Sequence, residues 1–161
     1  MRSLTLVVGA FIAMEPITAA AHRLVMHGIG SRLHVSHHRV RRSGGFEAND
    51  AFPVIFAAIV GVGLWVGFNR PGWGELVPVG VGVTAYGLAY ALVHDVYIHG
   101  RLGLGGGVLA GRWSWLDRLA DAHRVHHRTS RAPYGMLLPV VPRASRAPSS
   151  GSRPSHVPAD A

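Results

Sequence analysis

Two stretches decide the fold: residues 51–68, AFPVIFAAIVGVGLWVGF, and residues 76–93, LVPVGVGVTAYGLAYALV. Each is about 18 residues long, within the roughly 17–25 needed to cross a bilayer core as a helix. Neither contains a charge. The connector Asn69-Arg70-Pro71-Gly72-Trp73-Gly74-Glu75 carries turn residues, the only charges between Asp50 and Asp95, and a Trp suited to the membrane interface. The pattern predicts a helical hairpin, with Gly63 and Gly67 as a small-xxx-small pair that lets the two helices approach. A soluble bundle with two buried helices is the alternative, but the chain holds little polar helix to wrap them.

Working outward, Leu4–Ala21 is a third apolar stretch, interrupted by Glu15 and Pro16. It resembles a signal peptide, with Arg2 before it and Ala19-Ala20-Ala21 as a cleavage-like end. Arginine placement argues instead for a retained span. Arg23, Arg32, Arg39, Arg41 and Arg42 follow it, and only Arg2 precedes it. A second arginine-rich segment, from Arg101 to Arg146, follows the hairpin. The positive-inside rule puts both segments in the cytoplasm, leaving Arg2 and Arg70 outside.

Composition narrows the chemistry. The chain has 161 residues and no Cys, so disulfides, thiolate metal sites and Cys nucleophiles are excluded. All 16 basic residues are Arg, which removes Schiff-base lysines and a Walker-A loop. Charged residues make up 15%, against about 25% in an average soluble domain. The net charge of +8 sits beside apolar spans, which fits anionic lipid rather than nucleic acid. The Gly-rich stretch Leu102–Val108 has no strand before it and no Lys after it, and reads as a flexible turn. Trp113, Trp115, Leu116 and Leu119, interspersed with charges, predict an amphipathic helix at the membrane surface. Residues 143–161 are rich in Arg, Pro and Ser and predict a disordered tail to a membrane domain of residues 1–142.

Histidine is the residue in excess, with 11 copies. Ten fall into four clusters: His22 and His27; His34, His37 and His38; His94 and His99; and His123, His126 and His127. One two-part pattern, H-x4-H then H-x2-H-H, is used twice, with the hairpin between its two uses. Positions i, i+3 and i+4 lie within about 100° of arc on a helix, so each triplet can point one way. Positions i and i+5 are about 140° apart, so each pair needs a helix end or a local distortion to converge. Gly28 and Gly100 follow the pairs at once and fit helix ends.

All four clusters fall on the cytoplasmic side of the predicted topology. Ten charged imidazoles in one place would repel, whereas ten neutral ones are nitrogen ligands. A structural zinc site needs about four ligands, not ten. Ten suit two metal ions, with iron, zinc, copper and manganese all open by residue type. Asp95, Asp117 and Asp121 lie near the clusters. They are candidates to orient imidazole N–H groups, or plain surface charges. Arg39, Arg41 and Arg42 can hold phospholipid headgroups or an acidic protein.

The clusters His22-Arg-Leu-Val-Met-His27, His34-Val-Ser-His37-His38, His94-Asp95-Val-Tyr-Ile-His99 and Ala122-His123-Arg-Val-His126-His127 resemble those of the bacterial β-carotene hydroxylases. That group lies in the fatty acid hydroxylase and sterol desaturase superfamily. Gly45–Phe52, Tyr86–Tyr90 and Glu15 resemble the same group, and the likeness covers roughly residues 5–130. Gly100-Arg101-Leu102 and Pro133–Leu138 depart from its usual sequences.

The resemblance implies an all-α integral membrane bundle of about three to four transmembrane helices with a di-metal site on its cytoplasmic side. It implies a non-haem di-iron monooxygenase using O2 on the β-ionone rings of β-carotene at C3, by way of β-cryptoxanthin to zeaxanthin. The ten clustered histidines would be the ligands, the substrate would lie in the bilayer, and a ferredoxin-type protein would supply electrons. The competing readings are a lipid or sterol hydroxylase or desaturase of the same superfamily, and a non-enzymatic membrane metal-binding protein. Transport wants ligands near the bilayer midplane, and here the histidines flank the spans.

Overall fold

The computed structural model describes residues 1–39, 46–101 and 111–138. The expectations for Arg41 and Arg42, for the Gly-rich turn and for the C-terminal tail fall outside those residues. All regular structure among the described residues is helical. Helix α1 (Arg2–Ala21) runs into a π-helical segment, His22–Ile29, and is followed by α2 (Ser31–His38). A 3-10 turn (Ala48–Asp50) leads into α3 (Ala51–Asn69). Helix α4 (Leu76–Ala91) again passes into a π-helical segment, Leu92–Ile98, and α5 (Ser114–Thr129) closes the described order.

Three helical runs are long and apolar enough to cross a membrane: Arg2–Ile29, Ala48–Asn69 and Leu76–Ile98. Their outward surface separates a membrane bundle from a soluble one. Helix α3 buries none of its residues. Val54, Ile59 and Phe68 on it are 67%, 64% and 72% exposed. A soluble protein rarely shows so continuous an apolar face, whereas lipid is its natural solvent. The fold is a membrane helical bundle.

Helix α4 packs between α1 and α3. Arg2 at the start of α1 pairs with Glu75 at the start of α4, so these two helices run parallel and α3 returns between them in sequence. Of the expected glycine pair one member takes part in close packing, and two other glycines join it. A Cβ on Gly63 would meet nothing within 4 Å. Gly67 does lie against Leu76 and Val77, and Gly80 receives Leu64 across the hairpin. The tightest approach is elsewhere: a Cβ on Gly82 would come within 2.2 Å of the Val7 carbonyl oxygen of α1. Hydropathy marks both hairpin helices but does not say which one α1 will join.

Histidine is the most frequent buried residue among those described. Met14, Tyr86, Tyr97, Leu119, Ala122 and Met136 are the buried apolar set, against His22, His34, His37, His94, His123 and His126. Helix α5 shows why. Leu119, Ala122, His123 and His126 recur at helical spacing and form its buried face. The structure therefore gathers its polar core at the end of the bundle opposite the Arg2–Glu75 pair.

Candidate metal centre

The H-x4-H pairs converge because the helix changes gauge where they occur. In a π turn the hydrogen bond runs from residue i+5 to i, which brings those two positions together. The His99 N–H donates to the His94 carbonyl at 3.0 Å, closing such a turn on the pair itself. Gly100 then adopts φ +63°, the left-handed conformation that ends a helix and favours glycine. After the first pair, Gly28 leaves helical geometry at φ −99°, ψ −113°. The i, i+5 spacing, awkward on an α-helix, is the natural spacing of this local structure.

Nine of the ten clustered histidines form two groups, each with potential ligand atoms within 4.8 Å of one another. One group is His22, His27, His34, His38 and His126; the other is His37, His94, His99 and His123. His127 joins the second through His37, their Nε2 atoms being 3.2 Å apart. The grouping exposes a swap between the two halves of the repeat. Each group takes its own H-x4-H pair and the first and last histidines of its own triplet. The middle histidine of each triplet, His37 or His126, crosses to the other group. His38 and His127, which occupy equivalent positions, stack on each other with ring centres 4.5 Å apart.

Outward hydrogen bonds set the protonation of these rings. The Nδ1–H groups of His22 and His126 donate to the carbonyls of Tyr134 (3.0 Å) and Arg131 (2.7 Å). That of His34 donates to Asn49 Oδ1 at 2.7 Å, and that of His38 to the His127 carbonyl at 3.4 Å. Those of His37 and His94 donate to Glu47 at 3.2 Å and Asp95 at 2.7 Å. With Nδ1 protonated, a neutral ring presents a bare Nε2 lone pair.

Those lone pairs face each other. Nε2 of His22 is 3.1 Å from that of His34, His34 is 3.1 Å from His38, and His37 is 3.0 Å from His94. Two bare acceptors cannot hydrogen-bond, and burial removes the option of charging the rings. His99 and His126 are pushed down to about 4, and His127 to about 3, chiefly by burial and then by neighbouring positive groups. His34 and His38 are lowered by burial as well. A shared cation resolves the conflict. Nitrogens bound at about 2.0–2.1 Å to one metal lie about 2.9–3.4 Å apart, the spacing seen here. The donor set therefore fits metal, and imidazole with no thiolate suits iron, copper, zinc or nickel.

The three aspartates divide. Asp95 accepts from His94. Asp117 instead accepts from the Tyr97 hydroxyl (2.8 Å) and the Gly111 N–H (3.1 Å), and Asp121 pairs with Arg124 at the surface. Both depart from the expected contact with imidazoles for a geometric reason. At about 100° per residue, positions 117 and 121 lie on the opposite face of α5 from His123 and His126. Sequence reading attaches no role to Glu47 or Asn49, the acceptors for His37 and His34. The available signal was their place just before an apolar span, where Glu47 and Asp50 form a reciprocal cap. The Tyr134 and Arg131 carbonyls carry no side-chain signal at all.

A cavity of about 700 Å³ leads to the histidines from within the bilayer part of the bundle. Its walls are apolar side chains of α1, α3 and α4, among them Met14, Phe52, Phe56 and Leu64. Along α4 and the π-helical segment after it, the cavity extends from Val83 to Asp95. It ends on His22 and His34 of one group and His37 and His94 of the other.

The fatty acid hydroxylase family model matches residues 7–145. The chain belongs to the fatty acid hydroxylase family. As a member it is similar to a β-carotene hydroxylase of Pantoea ananas, 43% identical over 72% of this chain and 63% of that protein. It is likewise similar to one of Pseudescherichia vulneris, 44% identical over 76% of this chain and 66% of that protein. A chloroplastic β-carotene hydroxylase 1 of Capsicum annuum is 38% identical over 81% of this chain and 41% of its own length. The chain thus spans less than two thirds of these curated relatives. No solved structure matches it.

Proposed function

We propose that this family member is a membrane-bound, non-haem di-iron monooxygenase that hydroxylates the β-ionone rings of β-carotene at C3, giving β-cryptoxanthin and then zeaxanthin. The observation that carries the reading is the apolar cavity that runs through the spans and ends on both histidine groups at once. A ring entering from lipid meets no water on the way, and its leading edge stops against His22, His34, His37 and His94. The likeness to named β-carotene hydroxylases supplies the substrate class.

The ten clustered histidines would hold the two irons, one in each group. Bound iron supplies reductive activation of O2: with two electrons and two protons, one oxygen atom enters the C–H bond and the other leaves as water. The protein's own residues do the rest. Asn49, Glu47, Asp95 and the Tyr134 and Arg131 carbonyls hold the imidazoles with Nε2 inward. Such partners fix ring orientation and raise ligand basicity. Phe52, Phe56 and Leu64 keep the approach dry. Electrons would come from a ferredoxin-type protein on the cytoplasmic side, where the exposed Arg23, Arg32 and Arg39 would meet either that protein or lipid headgroups.

The test is expression in a bacterium that accumulates β-carotene, followed by chromatography of the pigments. Zeaxanthin and β-cryptoxanthin are expected. Unchanged β-carotene beside iron-loaded protein in the membrane would overturn the carotenoid assignment and turn the search to other apolar lipids.

A further inference from the structure

Glu15 lies in the middle of the first span, where a carboxylate among apolar side chains is costly unless it is fully engaged. It is engaged by four donors. Its Oε1 accepts the N–H groups of Met136 (2.9 Å), Leu137 (3.1 Å) and Leu138 (3.1 Å). Its Oε2 accepts the Tyr86 hydroxyl at 2.6 Å and shares the Leu137 N–H at 3.1 Å. Three successive backbone N–H groups converging on an anion form a strong, geometrically defined cradle. Gly135 completes it, because a Cβ there would lie 2.6 Å from Glu15 Oε1.

The segment held in this way does more than close the chain. Two of its carbonyls are the outward partners of imidazoles in one group only: Tyr134 for His22 and Arg131 for His126. The Tyr134 ring also lies 5.4–5.6 Å from the rings of His22, His27 and His126. The second group takes its outward partners from elsewhere, Glu47 before α3 for His37 and Asp95 after α4 for His94. Residues 46–50 serve both groups, through Asn49 to His34 and Glu47 to His37, whereas the carbonyls of residues 131–138 serve the five-histidine group alone.

We propose that Glu15 is a positioning residue for the five-histidine group, holding the residue 131–138 segment so that its carbonyls aim His22 and His126. This rests on the reading of the two groups as iron sites. Its consequence is selective: loosening Glu15 frees the five-histidine group and leaves the other one intact. A carboxylate that merely staples the bundle together would affect both alike.

The experiment uses the iron-loaded protein purified from membranes in detergent. It measures iron per chain and the rate at which a ferrous chelator removes it. Wild-type protein is expected to hold two irons. In Glu15→Leu one of them is expected to leave about 10–100-fold faster, the usual scale for loss of an outer partner, with the other at its wild-type rate. Gly135→Ala displaces the same segment without altering α1, and carries the test if the Leu variant does not accumulate. Glu15→Gln keeps one acceptor oxygen and is expected to fall between wild type and Leu. Unchanged release of both irons, or equal acceleration of both, overturns the proposal. Wild-type protein without stoichiometric iron overturns instead the di-iron reading on which it rests.

Discussion

Replacing Gly82 by Ala tests the packing of α1 on α4 where it is tightest. The new Cβ would sit 2.2 Å from the Val7 carbonyl oxygen and 2.9 Å from the Ala10 Cβ. Backbone carbonyls do not swing aside as side chains do, so the helices must part by about 1 Å to restore ordinary contact. Overpacking of that kind costs about 1–3 kcal/mol. One turn along α4, Tyr86 donates to Glu15 at 2.6 Å, and parting the helices stretches that bond. A hydrogen bond to a charged group is worth about 1.5–3 kcal/mol, so the full cost is at most about 2.5–6 kcal/mol. Gly63→Ala is the control. Nothing lies within 4 Å of its added methyl, and Ala favours helix over Gly by about 0.8–1.0 kcal/mol. Thermal melting of the two variants in detergent reads the difference: a clearly lowered Tm for Gly82→Ala, and an unchanged or raised one for Gly63→Ala. Equal melting temperatures would refute the assignment of the close approach to Gly82.

Two further predictions concern the histidines. His37→Ala and His126→Ala are each expected to abolish hydroxylated product and to lower bound iron, while His156→Ala, outside the four clusters, leaves both at wild-type values; pigment chromatography and iron analysis check this. The second concerns pH. An unfolded imidazole titrates near 6.5, while folded His99 and His126 stay neutral down to about 4. Between those values the unfolded chain binds protons that the folded chain refuses, so stability is complete above pH 6.5 and falls as pH drops toward 4. The Tm of metal-free protein at pH 7.5, 6 and 5 is expected to decline stepwise, and a flat profile would contradict neutral, buried rings.

Much of the fold was legible in the sequence because lipid imposes a local rule. An apolar run of about 18 residues without charge has few uses but to span a bilayer, and Ala51–Phe68 and Leu76–Val93 do form the hairpin. The histidine clusters were equally plain, being a repeated spacing of one residue type. What escaped was pairing over distance. Gly82 takes the tight contact because its face of α4 lies against α1, while Gly80 on the opposite face receives Leu64 of α3. Asp121 sits near the fourth cluster in sequence but on the far side of α5. Glu47 and Asn49 act through side chains, yet only the folding of residues 46–50 against α2 brings them to His37 and His34. Carbonyl acceptors such as Tyr134 are invisible to any reading of residue types.

The exchange of His37 and His126 bears on why the histidine pattern is used twice in one chain. Either half alone provides a span, a π turn and a triplet, so either could be imagined as a complete single-metal unit. The geometry denies this. The first half keeps His22, His27, His34 and His38 but needs His126 from α5; the second keeps His94, His99 and His123 but needs His37 from α2. Neighbouring histidines of one triplet thus serve different groups, with His37 in one and His38 in the other. A shift of α2 or α5 would disturb both groups, since each helix supplies histidines to both. The coupling ties the spacing of the two sites to the packing of two short helices. In the proposed hydroxylation that spacing would govern the reaction at the shared end of the cavity, because O2 and a C–H bond would have to be held within reach of both groups together.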